Sequence, residues 1–96
     1  MNKYEIMFIV RPDMPETEIA TVAKEITKVL TDKNATIIEE KAMGQRELAY
    51  EINKFKVGYY FLLTIESNNE AISEFERLSR INENLIRHLI TKVESK

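Results

Sequence analysis

Few residues in this chain carry reactive side chains. His88 is the only histidine, and there is no cysteine. Acid–base catalysis near neutral pH draws most often on histidine, and thiolate nucleophiles and thiolate metal sites need cysteine. With two glycines, Gly44 and Gly58, neither a Walker loop nor a GxGxxG turn can form, because both need several flexible positions close together. Glu39 and Glu40 are adjacent, and neighbours in an extended segment point to opposite faces, so they do not converge on a metal ion. What remains is recognition by cations. Lys3, Arg46, Lys54, Lys56, Arg87 and Lys92 fall at predicted strand ends or hairpins, and Arg77 and Arg80 close a helical stretch. Such cations bind phosphate oxygens, arginine in a bidentate fork.

A second candidate is aromatic. "GYYF", Gly58 to Phe61, lies in a run of aliphatics. Exposed aromatics on a sheet stack nucleotide bases, whereas buried ones are core. Bulk charge does not favour nucleic acid. The net charge is −2 with a pI near 5.5, and a protein that bound by total charge would be basic. A local patch can still bind phosphates.

The elements that must position these groups follow from periodicity. Tyr4, Ile6, Phe8 and Val10 alternate with Lys3, Glu5, Met7 and Ile9, which predicts a strand with its even face toward a core. It ends at Arg11-Pro12-Asp13, since Pro12 has no N–H to donate. Ile19, Val22, Ala23, Ile26, Val29 and Leu30 form one stripe of an amphipathic helix. Pro15 suits its first turn, with Glu16 and Glu18 at the positive end of the dipole, and Asn34 suits a left-handed cap at its end. Ile37 to Met43 predicts a second strand with Gly44 as a bulge. Pairing is expected to resume with Leu48, Tyr50 and Ile52 on one face and Glu47, Ala49 and Glu51 on the other. "NKFKVG" reads as a hairpin connection. A third strand follows, with Tyr59, Phe61, Leu63 and Ile65 on one face and Tyr60, Leu62, Thr64 and Glu66 on the other. Asn68 or Asn69 caps a second, shorter helix containing Ile72, Phe75 and Leu78. "INEN" turns the chain into a last strand, Leu85 to Val93.

The 96 residues therefore predict one domain, 1–96, of α+β class with the order strand, helix, strand, strand, helix, strand. Right-handed crossovers place two helices on one face of a four-stranded antiparallel sheet, the ferredoxin-like split βαβ arrangement. Apolar residues make up 44% and charged residues 31%, ordinary for a globular domain. No stretch reaches the ~18 apolar residues of a membrane helix. The N-terminal segment reads as a strand rather than a signal peptide. Acylphosphatases share the arrangement but need a glycine-rich anion loop, which "VRPDMP" lacks.

Parity bears on the aromatics. Tyr59, Phe61, Leu63 and Ile65 form the unbroken apolar face and belong under the helices. The RNA-recognition signature K/R-G-F/Y-G/A-F-V-x-F/Y does not align with "KVGYYFLL": Gly58 comes one place late, and no small residue follows the first aromatic. The open face carries Tyr60 and Leu62 with Met7 and Ile9, a patch better suited to a protein than to bases. His88 shares parity with Ile86 and Ile90, which predicts a partly buried or edge position, with an RNA contact beside Arg87 as the alternative. Two other functions fit this topology, a free-standing single-stranded RNA-binding module and a ligand-sensing or dimerisation domain.

"KYEIMFIVRPD", "MGQRELAYEINKFKVGYYFLLTIE" and "FERLSRINENLIRHLITKVE" resemble the bacterial small-subunit ribosomal protein six family over nearly the whole chain. The resemblance implies a cytoplasmic, ribosome-associated structural component without catalytic residues, cofactor or small-molecule substrate. It further implies binding to the central domain of small-subunit ribosomal RNA as a heterodimer with small-subunit ribosomal protein eighteen. By matching position, Arg46 and Arg87 are the leading RNA-facing cations, followed by Lys3, Lys54 and Lys92. Tyr50, Tyr60 and Met7 are the corresponding candidates for the protein partner. Glu47 and Glu51 depart from the family, which often has a basic residue and a proline there.

Overall fold

The order of elements is β1 (Asn2–Val10), α1 (Glu16–Asp32), β2 (Thr36–Ile52), β3 (Phe55–Ser67), α2 (Asn69–Ile81) and β4 (Leu85–Val93). It comes from a computed structural model that describes residues 2–52 and 54–93. Asn53 of the predicted "NKFKVG" connection and residues 94–96 of "VESK" lie outside the described residues. The strands form one antiparallel sheet in the order β2-β3-β1-β4, so the two central strands are the most apolar ones. This is the ferredoxin-like arrangement expected from the pattern.

The core lies between the helices and one face of the sheet. Tyr4, Ile6, Phe8 and Val10 of β1 and Phe61, Leu63 and Ile65 of β3 are buried against Ile19, Val22, Ile26 and Leu30 of α1 and Phe75 of α2. Phe8 and Phe61 are register partners, and their rings stack at 5.2 Å with 15° between planes. Such a pair adds about 0.5–1.5 kcal/mol beyond the area it buries. "GYYF" is thus divided by parity: Phe61 is core, Tyr59 packs against the core, and Tyr60 lies on the other face.

The helix ends follow local chemistry. Asn34 adopts φ +69 after α1. Ala35 N–H donates to the Leu30 carbonyl at 3.0 Å and Asn34 N–H to the Thr31 carbonyl at 3.0 Å, the paired bonds of a Schellman motif. Pro15 stands one position earlier than expected, as the cap rather than within the first turn, and its carbonyl accepts from Glu18 and Ile19. Of the two asparagines before α2, Asn68 is the cap: its side chain accepts from Ala71 N–H at 3.0 Å. Asn69 instead accepts from the Tyr4 hydroxyl at 3.0 Å, tying α2 to β1.

The predicted regular alternation through residues 47–52 does not hold. β2 slips register three times, between Ile37 and Glu39, between Ala42 and Gly44, and between Glu47 and Ile52. At the second slip Gly44 takes φ +83, a conformation that favours glycine. At the third, Glu47 pairs with Val57 and Ile52 with Phe55. Residues 48–51 therefore have too few partners on β3 and arch out of the ladder. These slips, with Glu39, Glu40 and Lys41, also blunt an exposed edge strand against non-specific pairing.

β4 has its own slip, between Ile9 and Val10 of its partner, where Arg87 is followed by Leu85 in the pairing. It breaks the parity assumed for Ile86, His88 and Ile90. His88 and Ile90 face the helices opposite Phe8 and Ile6. Ile86 instead comes within 3.6 Å of the place a Gly58 Cβ would occupy.

Candidate nucleic-acid and partner interface

The sheet face away from the helices presents two rows defined by strand pairing. One is Leu62–Met7–Leu89 and the other is Tyr60–Ile9–Arg87. Leu89 is well exposed, while Met7, Tyr60 and Leu62 are half-buried. Ile9, expected in the exposed patch, is 3% exposed and belongs to the interior. Two features bury it. Gly58 leaves room beside it, for a Cβ there would stand 2.3 Å from Ile9 Cγ2. The arch of residues 48–51 then covers it, leaving a cleft of about 160 Å³ lined by Ile9, Leu48, Tyr50, Tyr60 and Leu89.

Tyr50 reaches across this cleft. The Arg87 Nη1 group donates a hydrogen bond to the Tyr50 hydroxyl at 2.5 Å. One residue expected to face RNA and one expected to face a protein therefore touch. Sequence spacing holds no trace of this contact, because the two positions lie 37 residues apart.

The arginines divide by their partners. Arg11 donates to Asp13 through Nε at 2.6 Å and Nη2 at 2.8 Å. Arg77 pairs with Glu74 at 2.6 Å and Arg80 with Glu76 at 4.0 Å. Among the described residues, Arg46 and Arg87 have no ion pair. They are the two arginines that could exchange water for phosphate without first surrendering a carboxylate.

In the sequence Arg11 marks only the end of a strand. Its guanidinium also lies 5.6 Å from the centroid of the Phe55 ring, a cation–π contact that fixes the end of β1 to the β2–β3 hairpin. The Arg11 hydrogen bond holds the Asp13 carboxyl below the usual carboxylate range. The R-x-D spacing is the signal that could have revealed the pair.

The remaining candidates are dispersed. Arg46 pairs with Gly58 and Arg87 with Ile9, both toward the hairpin end of the sheet. Lys54 follows in the hairpin at φ +71. Lys3 pairs with Val93 and Glu66 at the opposite end. Six residue steps along β1 separate Lys3 from the level of Ile9, about 20 Å at strand rise. Lys92 pairs with Tyr4 and so points to the helix side of that far end. The cations thus are spread over both ends of the sheet, and Glu66 stands beside Lys3 with Glu5 next along the same face. His88 is half-buried and meets the Phe75 ring edge-on at 5.7 Å between centroids, a packing position under α2. Among the described residues no cluster of His, Asp and Glu could hold a metal ion, and no helix is long and apolar enough to cross a membrane.

Comparison with known proteins bears on the family and the fold. The family profile described as "Ribosomal protein S6" matches residues 3–92. A relative named "Small ribosomal subunit protein bS6", from Shouchella clausii (strain KSM-K16), is 49% identical over 94 residues, covering 98% of this chain and 99% of its own. Among solved structures, 30S ribosomal protein S6 from Thermotoga maritima superposes with a TM-score of 0.92 at 29% identity, covering 96% of this chain and 87% of that one.

Proposed function

The chain belongs to the ribosomal protein S6 family, and from that premise we propose that it is a structural constituent of the small ribosomal subunit rather than an enzyme. It binds the central domain of small-subunit ribosomal RNA together with small-subunit ribosomal protein eighteen. Arg46 and Arg87 supply the leading phosphate contacts, with Lys54 beside them. Lys3 and Lys92 offer a second phosphate contact at the far end. Met7, Tyr60 and the exposed Leu89 on the open face, with the edge of β2, receive the protein partner.

The observation that carries this reading is the state of the arginines: Arg46 and Arg87 are without a carboxylate partner among the described residues, whereas Arg11, Arg77 and Arg80 are paired. A solvated guanidinium without a carboxylate partner meets phosphate at low reorganisation cost. The test is binding of a central-domain RNA fragment, with protein eighteen present, across a salt series. Each neutralised phosphate contributes about 0.7–0.9 to the slope of log affinity against log salt. Arg46→Ala and Arg87→Ala should each lower the slope by about that amount and weaken binding to unrelated sequences as well. An unchanged slope in both variants would remove these residues from the interface.

A further inference from the structure

The contact between Tyr50 and Arg87 joins the two outer strands of the sheet. β2 and β4 are separated by β3 and β1, so their backbones should stand about 14 Å apart at the usual strand spacing. A side-chain hydrogen bond between them is possible only because residues 48–51 leave the ladder and cross the open face. Tyr50 is 61% exposed, so this position does not exist to bury its ring. Its hydroxyl meets one nitrogen of the guanidinium, Nη1, at 2.5 Å. The Nε–Nη2 edge of Arg87 makes no hydrogen bond or ion pair to another described side chain. That edge can bind two phosphate oxygens in parallel.

We propose that Tyr50 is a positioning residue for Arg87: its hydroxyl holds Nη1 above the open face so that the Nε–Nη2 edge faces outward for a phosphate. This deepens, and rests on, the reading that Arg87 binds RNA. A free arginine side chain samples many rotamers. Restraining it before the RNA arrives lowers the entropy lost on binding. Tyrosine is suited to the task because its hydroxyl accepts from the guanidinium and carries no charge. A carboxylate there would hold the arginine more strongly but would compete with phosphate for it. Arg11 shows that alternative in this same chain, its Nε–Nη2 edge closed by Asp13.

The experiment is a double-mutant cycle on Tyr50→Phe and Arg87→Ala, each bound to the central-domain RNA fragment at saturating protein eighteen across a salt series. Tyr50→Phe keeps the ring and removes one oxygen, and native circular dichroism checks the fold of every variant. Tyr50→Phe should weaken RNA binding about three- to tenfold, the weight of one hydrogen bond, with an unchanged salt slope because no charge is lost. In the Arg87→Ala background the same substitution should have no effect. The Arg87 Nε–H resonance, observed by nitrogen-15 relaxation without RNA, should become more mobile in Tyr50→Phe. If Tyr50→Phe weakens binding equally in both backgrounds, Tyr50 acts directly or through the fold, and the positioning role is overturned. If Arg87→Ala weakens binding and Tyr50→Phe does not, the positioning role alone fails. If Arg87→Ala leaves binding and slope unchanged, the assignment of Arg87 to RNA fails first, and the role of Tyr50 with it.

Discussion

Substituting Gly58 by alanine adds one methyl group at the point where the open face is closed. The new Cβ would stand 2.3 Å from Ile9 Cγ2 and 3.6 Å from both Ile86 Cδ1 and the Val10 carbonyl. The first distance is well inside van der Waals contact, so something must move. Ile9 cannot move cheaply. It is β-branched and stiff at χ1, it is 3% exposed, and its strand is hydrogen-bonded on both sides. Overpacking of this kind costs about 1–3 kcal/mol. For a domain of this length, 1 kcal/mol lowers the melting temperature by about 4–8 °C. The assay is urea denaturation followed by circular dichroism, with Gly58→Ala, Ile9→Ala and the double variant. Ile9→Ala removes the clashing atom along with its neighbours and should itself cost about 2–5 kcal/mol. The double variant should be less destabilised than the sum of the singles by about the overpacking cost. A neutral Gly58→Ala, or strict additivity in the double variant, would refute the claim that Gly58 is small in order to admit Ile9.

Other substitutions test the same structure at separate points. Phe61→Ala removes a ring stacked on Phe8 in the core and should cost about 3–5 kcal/mol in urea denaturation; a near-neutral effect would return "GYYF" to the surface and restore base stacking as a reading. Asn68→Ala deletes the acceptor for Ala71 N–H and should cost about 1 kcal/mol in the same measurement, while Asn69→Ala should act through loss of the Tyr4 contact instead. The Asp13 carboxyl is held down by the Arg11 hydrogen bond, so its contribution to stability is present above the ordinary carboxylate pKa of about 4 and is lost as pH falls through the lower folded value. Asp13→Asn should therefore narrow its stability difference from the parent as pH falls below about 4, and a difference constant with pH would show that the carboxylate charge is not what matters.

Much of the fold was legible because the central strands obey simple alternation. The even positions of β1 from Tyr4 to Val10 and the odd positions of β3 from Tyr59 to Ile65 are apolar without a break, and each face went where its parity indicates. Asn34 and the pair Asn68–Asn69 announced helix ends through conformational preference and side-chain acceptance, both local properties, with Asn68 the one that caps. The open face was harder to read. Its shape depends on three register slips in β2 and one in β4, and a single slip reverses the face of every later side chain. The slip between Arg87 and Leu85 therefore takes Ile86 off the face that His88 occupies. The burial of Ile9 needs a glycine on a neighbouring strand and an arch from a third, neither of which is visible in its own segment. Cations at strand ends were easy to find in the sequence, but which end each strand presents is a matter of topology. Lys3 and Lys92 consequently fell far from Arg46 and Arg87. The Tyr50–Arg87 bond depends on all of these features together and has no local signal.

The most direct test of the functional reading is sedimentation of native lysate through a sucrose gradient in moderately high salt, with each fraction probed for this chain and for an Arg46→Ala/Arg87→Ala form expressed in its place. High salt screens adventitious surface charge while leaving multiple phosphate contacts partly intact. The parent chain should travel with the small subunit in stoichiometric amount, and the double variant should shift toward the top of the gradient. A parent chain found only at the top would contradict a structural role in the small subunit, and a double variant that sediments like the parent would contradict the two arginines as the leading RNA contacts.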